Sequence, residues 1–213
     1  MTHPFIAIEG PIGVGKTTVA NHLAELLKAQ FLSDTATRNP YLKQFYLDPK
    51  AVALHAQLHF LVARREVLKQ RDIEQPVKPI VADFMIDKDR LFAELTLDEN
   101  EWWMYENLYD RMVEDTRRPT LVIYLQAPLE RLIERIETRG LRHEQRIDST
   151  YLAELGSRYE RFFYDYDESS LLIVNTEEVN LASDRSAVQA LAKMVKTRLE
   201  EGDGGRHFWN PAG

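Results

Sequence analysis

The sequence predicts an α/β protein in which helices cover both faces of a mostly parallel sheet. Five short apolar runs alternate with segments of helical periodicity, and the first run leads through a glycine-rich loop into a helix. Strands that alternate with helices form βαβ units, which give parallel sheets. The 213 residues fit one domain. We expect that domain to span residues 1–201, followed by a loosely docked tail over residues 202–213.

Each predicted element rests on a local pattern. Apolar residues at helical spacing predict helices over residues 17–29 and 51–71, an arginine-rich helix after the fourth strand, and a final amphipathic helix capped by Ser183. Short apolar runs bounded by turn residues predict the strands. The five predicted strands cover residues 5–9, 30–33, 79–83, 121–125 and 171–175.

Composition excludes several classes of function. The chain has no cysteine, which removes disulfides, thiol catalysis and cysteine-ligated metals and fits a cytoplasmic protein. Its net charge of −7 argues against a protein that binds a nucleic-acid polymer through a broad basic face. No window approaches the roughly 18 apolar residues of a membrane span. We therefore expect a small-molecule partner, with neither nucleic-acid polymer nor membrane.

The loop after the first strand carries a phosphate-binding motif. The sequence from Gly10 to Thr17 matches G-x-x-x-x-G-K-[ST] and lies between a strand and a helix, as the motif requires. Lys16 is expected to reach the β and γ phosphates of ATP, and the Thr17 hydroxyl to bind Mg²⁺. The motif predicts a three-layer P-loop kinase fold that transfers phosphate to a small molecule. The predicted nucleotide-binding residues are Gly10, Pro11, Ile12, Gly13, Val14, Gly15, Lys16, Thr17 and Thr18.

An arginine series follows the fourth strand. Its members recur at steps of three or four and would share one face of a helix. Such a face is either solvated and ion-paired or, beside a phosphate loop, a lid that closes over ATP. We favour a lid over residues 135–147 that hinges at Gly140, with Arg135 and Arg139 as its catalytic cations and Arg139 also contacting ATP. The series comprises Arg131, Arg135, Arg139, Arg142 and Arg146.

Two acidic residues are candidates for preparing the phosphoryl acceptor. Asp34 and Asp83 each lie at the end of a predicted strand, near the phosphate loop. A carboxylate in this position can accept the proton of an acceptor hydroxyl or bind Mg²⁺. The residues alone leave both roles open for both acids.

Several further blocks resemble the deoxynucleoside kinase family, which includes deoxycytidine, deoxyguanosine and mitochondrial thymidine kinases and their bacterial relatives. The resemblance runs from residue 5 to about residue 175, and its blocks are residues 8–16, 39–46, 91–93, 123–127 and 135–140. It implies ATP-dependent phosphorylation of the 5′-hydroxyl of a deoxynucleoside, in nucleoside salvage. It also implies a homodimer packed through helices.

The resemblance assigns roles to residues around the acceptor. The family's catalytic carboxylate, five residues before the Asn of an Asn-Pro-Tyr block, falls on Asp34. Tyr46 falls where the family contacts the sugar 3′-hydroxyl, with Glu144 of the lid as its acidic partner. Gln57 and Arg64 match positions that contact the base, and Phe92 matches the ring that stacks on it.

One motif departs from the family pattern. Its Glu-Arg-Ser or Asp-Arg-Ser segment is replaced by Ala82-Asp83-Phe84, so Asp83 stands where the family has arginine. Asp83 would serve either as a Mg²⁺ ligand or as the base, with Asp34 then only orienting the hydroxyl. The family's base-recognising Asp corresponds to Lys88 in ungapped register.

Two other functions remain in competition at this point. A nucleoside-monophosphate kinase of the thymidylate kinase type shares the architecture, and the altered motif is compatible with a nucleotide-binding relative that has no activity. His55 and His59 are spaced like a metal-binding pair, but no third ligand is evident, and helix packing explains them better.

Overall fold

The computed structural model describes residues 3–34, 38–141, 147–202 and 204–212. Within these residues, six strands form one parallel sheet in the order β2-β3-β1-β4-β5-β6. The α/β class is confirmed, but the predicted count of five strands was wrong because the tail contributes a sixth. The strands are β1 (Phe5–Glu9), β2 (Gln30–Leu32), β3 (Ile80–Ala82), β4 (Leu121–Gln126), β5 (Ser170–Asn175) and β6 (Arg206–Trp209).

Helices connect the strands and cover both faces of the sheet. The final helix is capped by Asp184, whose carboxylate accepts hydrogen bonds from the N–H groups of Ser186 and Ala187, and not by the predicted Ser183. The described helices are α1 (Lys16–Leu27), α2 (Leu42–Phe45), α3 (Pro49–Leu68), α4 (Arg71–Glu74), α5 (Lys88–Thr96), α6 (Glu99–Val113), α7 (Leu129–Arg139), α8 (Ser149–Asp165) and α9 (Arg185–Glu201).

The core explains why the central strands are continuously apolar. Every residue of β1 is buried, because α1 and α9 pack on one face of the sheet and α3, α5, α6 and α8 supply the layer on the other. None of the helices in the described ranges has the length and apolar character needed to cross a bilayer.

The sheet register brings the ends of three strands together. Leu32 of β2 pairs with Ala82 of β3, and Ala82 pairs with Ala7 of β1. Because the strands are parallel, the segments that follow them leave from the same edge of the sheet. The phosphate loop, Asp34 and Asp83 therefore begin side by side.

The tail, expected to be a loosely docked extension, contributes the sixth strand of the sheet. β6 pairs in parallel with β5, with Trp209 opposite Val174, and the Trp209 ring packs against the core that α1 and α9 share. Phe208 lies on the other face of the strand and is 73% exposed. Apolar contact on one side of β6 thus holds the tail to the sheet edge.

Because Trp209 packs against the core and Phe208 is exposed, substitutions at these neighbouring positions should affect the free energy of unfolding differently. Trp209→Ala should lower the free energy of unfolding by about 2 kcal/mol, since a partly buried ring leaves the core. Phe208→Ala, the control, should change it by less than about 0.5 kcal/mol because the ring is exposed. Urea unfolding followed by circular dichroism measures both, and equal losses would contradict the docking of β6.

Candidate active site

The phosphate loop is shaped by glycines that no other residue could replace without strain. Gly10 has φ +148°, and a Cβ atom there would lie 2.4 Å from the Leu125 carbonyl oxygen. Gly13 has φ +91°, and its Cβ atom would lie 2.9 Å from the Leu132 carbonyl oxygen. Both positions combine a left-handed backbone with close contact to neighbouring backbone. The loop is therefore held against β4 and α7 in one conformation.

Lys16 begins α1 with its side chain turned back over the loop. Its Nζ atom donates to the carbonyl oxygens of Gly10, at 2.6 Å, and Pro11, at 3.0 Å. Burial lowers the pKa of Lys16 to about 8, and repulsion from Lys88 acts in the same direction while Glu9 opposes it. The first turn of α1 has no side-chain cap, so its N–H groups are available to an anion.

Asp83 connects the phosphate loop to the segment after β2. Its Oδ2 atom accepts a hydrogen bond of 2.5 Å from the Thr17 hydroxyl, and its Oδ1 atom accepts one of 2.5 Å from the backbone N–H of Asp34. A hydroxyl and a carboxylate beside a phosphate loop are the oxygen donors that Mg²⁺ prefers. Thr17 and Asp83, the two predicted metal ligands, therefore offer donor atoms that fit Mg²⁺.

Histidines make no comparable site. The described residues contain no group of three His, Cys, Asp or Glu side chains that could hold a metal. His55 is exposed on α3, and its ring lies against that of Tyr41, with 5.5 Å between ring centroids.

Asp34 is enclosed by two cations. The guanidinium of Arg64 donates from Nε to Oδ1 at 3.0 Å and from Nη2 to Oδ2 at 2.9 Å, and Lys88 Nζ donates to Oδ2 at 2.5 Å. Burial alone would raise the pKa of Asp34, but the charges of Arg64 and Lys88 outweigh it and hold that pKa well below its usual range. Arg64 also pairs with the fully buried Asp89.

One cavity of about 310 Å³ gathers most of the predicted nucleoside-binding residues. Its volume is at the lower end of the range of small-molecule sites. Gln57 Nε2 donates to Thr96 Oγ1 at 3.1 Å, while its Oε1 atom is buried and finds no hydrogen-bond partner within the described part of the chain. The Phe92 ring meets Tyr159 edge to face, with centroids 6.4 Å apart. The predicted site residues in the wall are Ile12, Gly13, Gly15, Lys16, Thr17, Thr18, Asp34, Tyr46, Gln57, Arg64, Asp83, Phe92 and Arg139.

The cavity also contains residues that the sequence did not single out. Most are aromatic or apolar residues on helices, where periodicity indicates only a core position. Lys88 was named only as the position that aligns with the family's base-recognising Asp, and the sequence assigned it no role of its own. A lysine that opens a helix just after a buried strand is an unusual place for a charge. The unpredicted lining residues include Leu42, Phe45, Phe60, Lys88, Tyr151 and Tyr159.

Glu9 was also missed by sequence reasoning. It closes β1 and is fully buried, with Oε2 accepting from the Gly10 N–H at 3.2 Å and from the Tyr159 hydroxyl at 3.1 Å. Its Oε1 atom accepts from the Met85 N–H at 2.8 Å. This carboxylate fixes the phosphate loop to the segment after β3. An acid at the end of an apolar strand was its signal in the sequence.

A second cavity of about 440 Å³ also borders the phosphate loop, at Gly13 and Gly15. Arg139 lines both cavities, whereas Arg135 lines only this one of the two. The guanidinium of Arg135 donates to the hydroxyl of Thr176 at 3.0 Å and to the Thr176 carbonyl oxygen. Burial lowers the pKa of Arg135, and repulsion from Arg131 adds to the effect.

α7 ends at Arg139, and Gly140 caps it with a left-handed backbone. The predicted lid residues Arg142, Glu144 and Arg146 lie outside the described residues.

Comparison with known proteins gives a consistent answer. The deoxynucleoside kinase family model matches residues 6–200. A deoxyguanosine kinase of Bacillus subtilis is 33% identical over 201 residues, which cover 92% of this chain and 97% of the relative. A deoxyadenosine/deoxycytidine kinase of the same organism is 28% identical and covers 92% and 93%.

A solved structure shares the architecture as well. Deoxyadenosine kinase from M. mycoides with bound dATP superposes with a TM-score of 0.74 at 26% identity and covers 93% of this chain and 100% of that chain. Another structure of that enzyme, with the products dCMP and a flexible dCDP, gives a TM-score of 0.76 at 25% identity and covers 92% and 98%.

The paired charges at Asp34 predict a pH-dependent effect on stability. Asp34→Asn should lower the free energy of unfolding at pH 7 by about 3 kcal/mol, since it leaves Arg64 and Lys88 buried without their shared carboxylate. Because folding lowers the Asp34 pKa, its stabilisation is fully present above the unfolded pKa of about 3.9 and is lost progressively as pH falls from there towards the much lower folded pKa. Urea unfolding of both proteins at pH 7 and pH 3 should show the difference shrinking in acid. A constant difference would contradict the ion pairs.

Proposed function

The chain belongs to the deoxynucleoside kinase family, and from this membership we propose how its cleft transfers the γ-phosphoryl group of ATP to the 5′-hydroxyl of a deoxynucleoside. The product would be the deoxynucleoside monophosphate, as in nucleoside salvage. The observation that carries this assignment is the convergence of a phosphate loop and a hydrogen-bonded carboxylate, Asp34, on one cavity of nucleoside size.

The transfer step follows from that arrangement. The acceptor 5′-oxygen forms a bond to the γ phosphorus while the bond from that phosphorus to the β,γ-bridging oxygen breaks, and ADP leaves. Asp34 accepts the proton of the hydroxyl or orients it. Lys16, Arg135 and Arg139 stabilise the negative charge on the transferred group.

Mg²⁺ belongs to this proposal through two protein ligands. The Thr17 hydroxyl and the Asp83 carboxylate would hold it, and their mutual hydrogen bond of 2.5 Å keeps both oxygens at the phosphate loop. The ion would neutralise charge on the β and γ phosphates. Because Asp83 is tied to Thr17 and to the backbone of Asp34, we assign it the metal and assign Asp34 the hydroxyl.

The nucleoside would lie along the wall formed by α3 and α5. Phe92 offers a ring for the base, and the buried Oε1 atom of Gln57 calls for an N–H donor on the base edge. Tyr46 would contact the sugar, with Glu144 as its lid partner. Arg64 would reach the nucleoside from the side on which it binds Asp34 and Asp89.

We further propose a cytoplasmic homodimer. α6 presents Trp103, Met104 and Leu108 with 69%, 48% and 38% exposure, while the adjacent Trp102 packs inward against the core. An exposed apolar stripe on one helix is typical of an interface. The absence of cysteine suits a reducing compartment.

The central test is a turnover panel. Wild-type protein with ATP and Mg²⁺ should release ADP in response to at least one of the four deoxynucleosides. Asp34→Asn should lower kcat by about 100-fold or more, because the hydroxyl loses its proton acceptor. Asp83→Asn should instead raise the Mg²⁺ concentration needed for half-maximal rate, because one oxygen ligand is weakened.

Other outcomes discriminate the competing functions. Turnover on deoxynucleoside monophosphates alone would indicate a thymidylate kinase-like enzyme, and ATP binding without turnover on any acceptor would indicate a non-catalytic relative. If Asp83→Asn lost turnover at saturating Mg²⁺ while Asp34→Asn retained it, the two roles would be reversed.

The dimer proposal has its own test. Trp103→Glu combined with Met104→Glu should convert a dimer of about 50 kDa to a monomer of about 25 kDa, because charges would be buried in the interface. Phe208→Glu, on an exposed site of β6, should leave the dimer intact. Sedimentation velocity measures all three proteins, and a monomeric wild type would refute the proposal.

A further inference from the structure

Lys88 occupies an unusual place in the cleft. It is the first residue of α5, its side chain is only 5% exposed, and it lines the same cavity as Lys16, Thr17 and Asp34. A buried ammonium is unfavourable unless it is paired. Among the described residues, its ion-pair partner is Asp34, at 2.5 Å from Nζ to Oδ2.

The two oxygens of Asp34 are not equivalent. Oδ2 accepts from Lys88 Nζ and from Arg64 Nη2, whereas Oδ1 accepts only from Arg64 Nε among these two side chains. Each carboxylate oxygen has about two lone-pair sites. Lys88 and Arg64 therefore fill Oδ2, whereas Arg64 is the donor that the described residues supply to Oδ1, which leaves a site there for one more donor.

Arg64 could not create this difference alone. Its guanidinium reaches both oxygens of Asp34 in a symmetric fork, and its remaining Nη1 atom pairs with the buried Asp89. Without the ammonium of Lys88, Oδ1 and Oδ2 would each carry one hydrogen bond from Arg64. Lys88 is thus the group that distinguishes them.

From this geometry we infer that Lys88 is a positioning residue that occupies Oδ2 of Asp34 and directs the acceptor hydroxyl to Oδ1. The inference rests on the proposed function and deepens it. A hydroxyl bound at Oδ1 has one orientation relative to the phosphate loop, whereas two available oxygens would allow a second, unproductive one. Small errors in the placement of reacting atoms reduce rates strongly.

The test compares Lys88→Met and Lys88→Arg with wild type. Lys88→Met removes the donor and should lower kcat by about 30-fold, with KM for the deoxynucleoside changed by less than about 3-fold, because binding persists but the hydroxyl is misdirected. Lys88→Arg keeps a charged donor and should retain kcat within about 5-fold. Lys69→Met, at an ion-paired lysine on the surface, is the matched control and should match wild type.

A double-mutant cycle shows whether Lys88 acts through Asp34. In the Asp34→Asn background, Lys88→Met should change kcat by less than about 3-fold, because the carboxylate whose two oxygens Lys88 distinguishes has already been replaced. An equal 30-fold loss in both backgrounds would overturn the inference, and so would a Lys88→Met enzyme with wild-type kcat.

Separate controls distinguish a loss of folding from a loss of function. Thermal unfolding of each variant establishes that it is folded at the assay temperature. If Lys88→Met is not, Lys88→Gln replaces it, since its amide nitrogen is one bond short of the Nζ position, and the same loss of kcat is expected. Wild-type protein without turnover on any deoxynucleoside would overturn the proposed function and this inference together, whereas active wild type with unchanged Lys88 variants would overturn the inference alone.

Discussion

The arrangement of the cleft depends on two hydrogen bonds that the Asp83 carboxylate accepts. One oxygen accepts from Thr17 at the start of α1, and the other accepts from the backbone N–H of Asp34 after β2. A single side chain thereby fixes the distance between the loop that would bind phosphate and the acid that would bind the hydroxyl. Phosphoryl transfer needs little from a protein beyond such positioning and charge stabilisation, so the geometry of this contact matters more than its energy.

Charge balance within the cleft explains how an acidic protein accommodates a cluster of buried cations. Lys16, Arg64 and Lys88 are buried beside Asp34, Asp83, Asp89 and Glu9, and each cation is compensated by carboxylates or carbonyl oxygens. Burial of any of these charges alone would cost several kcal/mol. The hydrogen bonds and ion pairs hold these groups in fixed orientations, which is the preorganisation that electrostatic catalysis requires.

Two cavities share the phosphate loop, and Arg139 at the end of α7 lines both. Arg135, one turn earlier, is held by Thr176 after β5, so the arginine series does not act as one uniform surface. Helical spacing put these arginines on one face, but their contacts gave them different surroundings.

Local features of the sequence determined the α/β class, the phosphate loop and the strand-end acids Asp34 and Asp83, because motif spacing and apolar periodicity are properties of short segments. The aromatic and amide groups of the cavity wall came only from the resemblance to the kinase family. Tertiary structure decided the sixth strand, the burial of Glu9 and the pairing of Lys88 with Asp34, which lie 54 residues apart. These features depend on strand register and on which face of a helix meets the sheet, since charges distant in the chain become partners only when packing removes them from water.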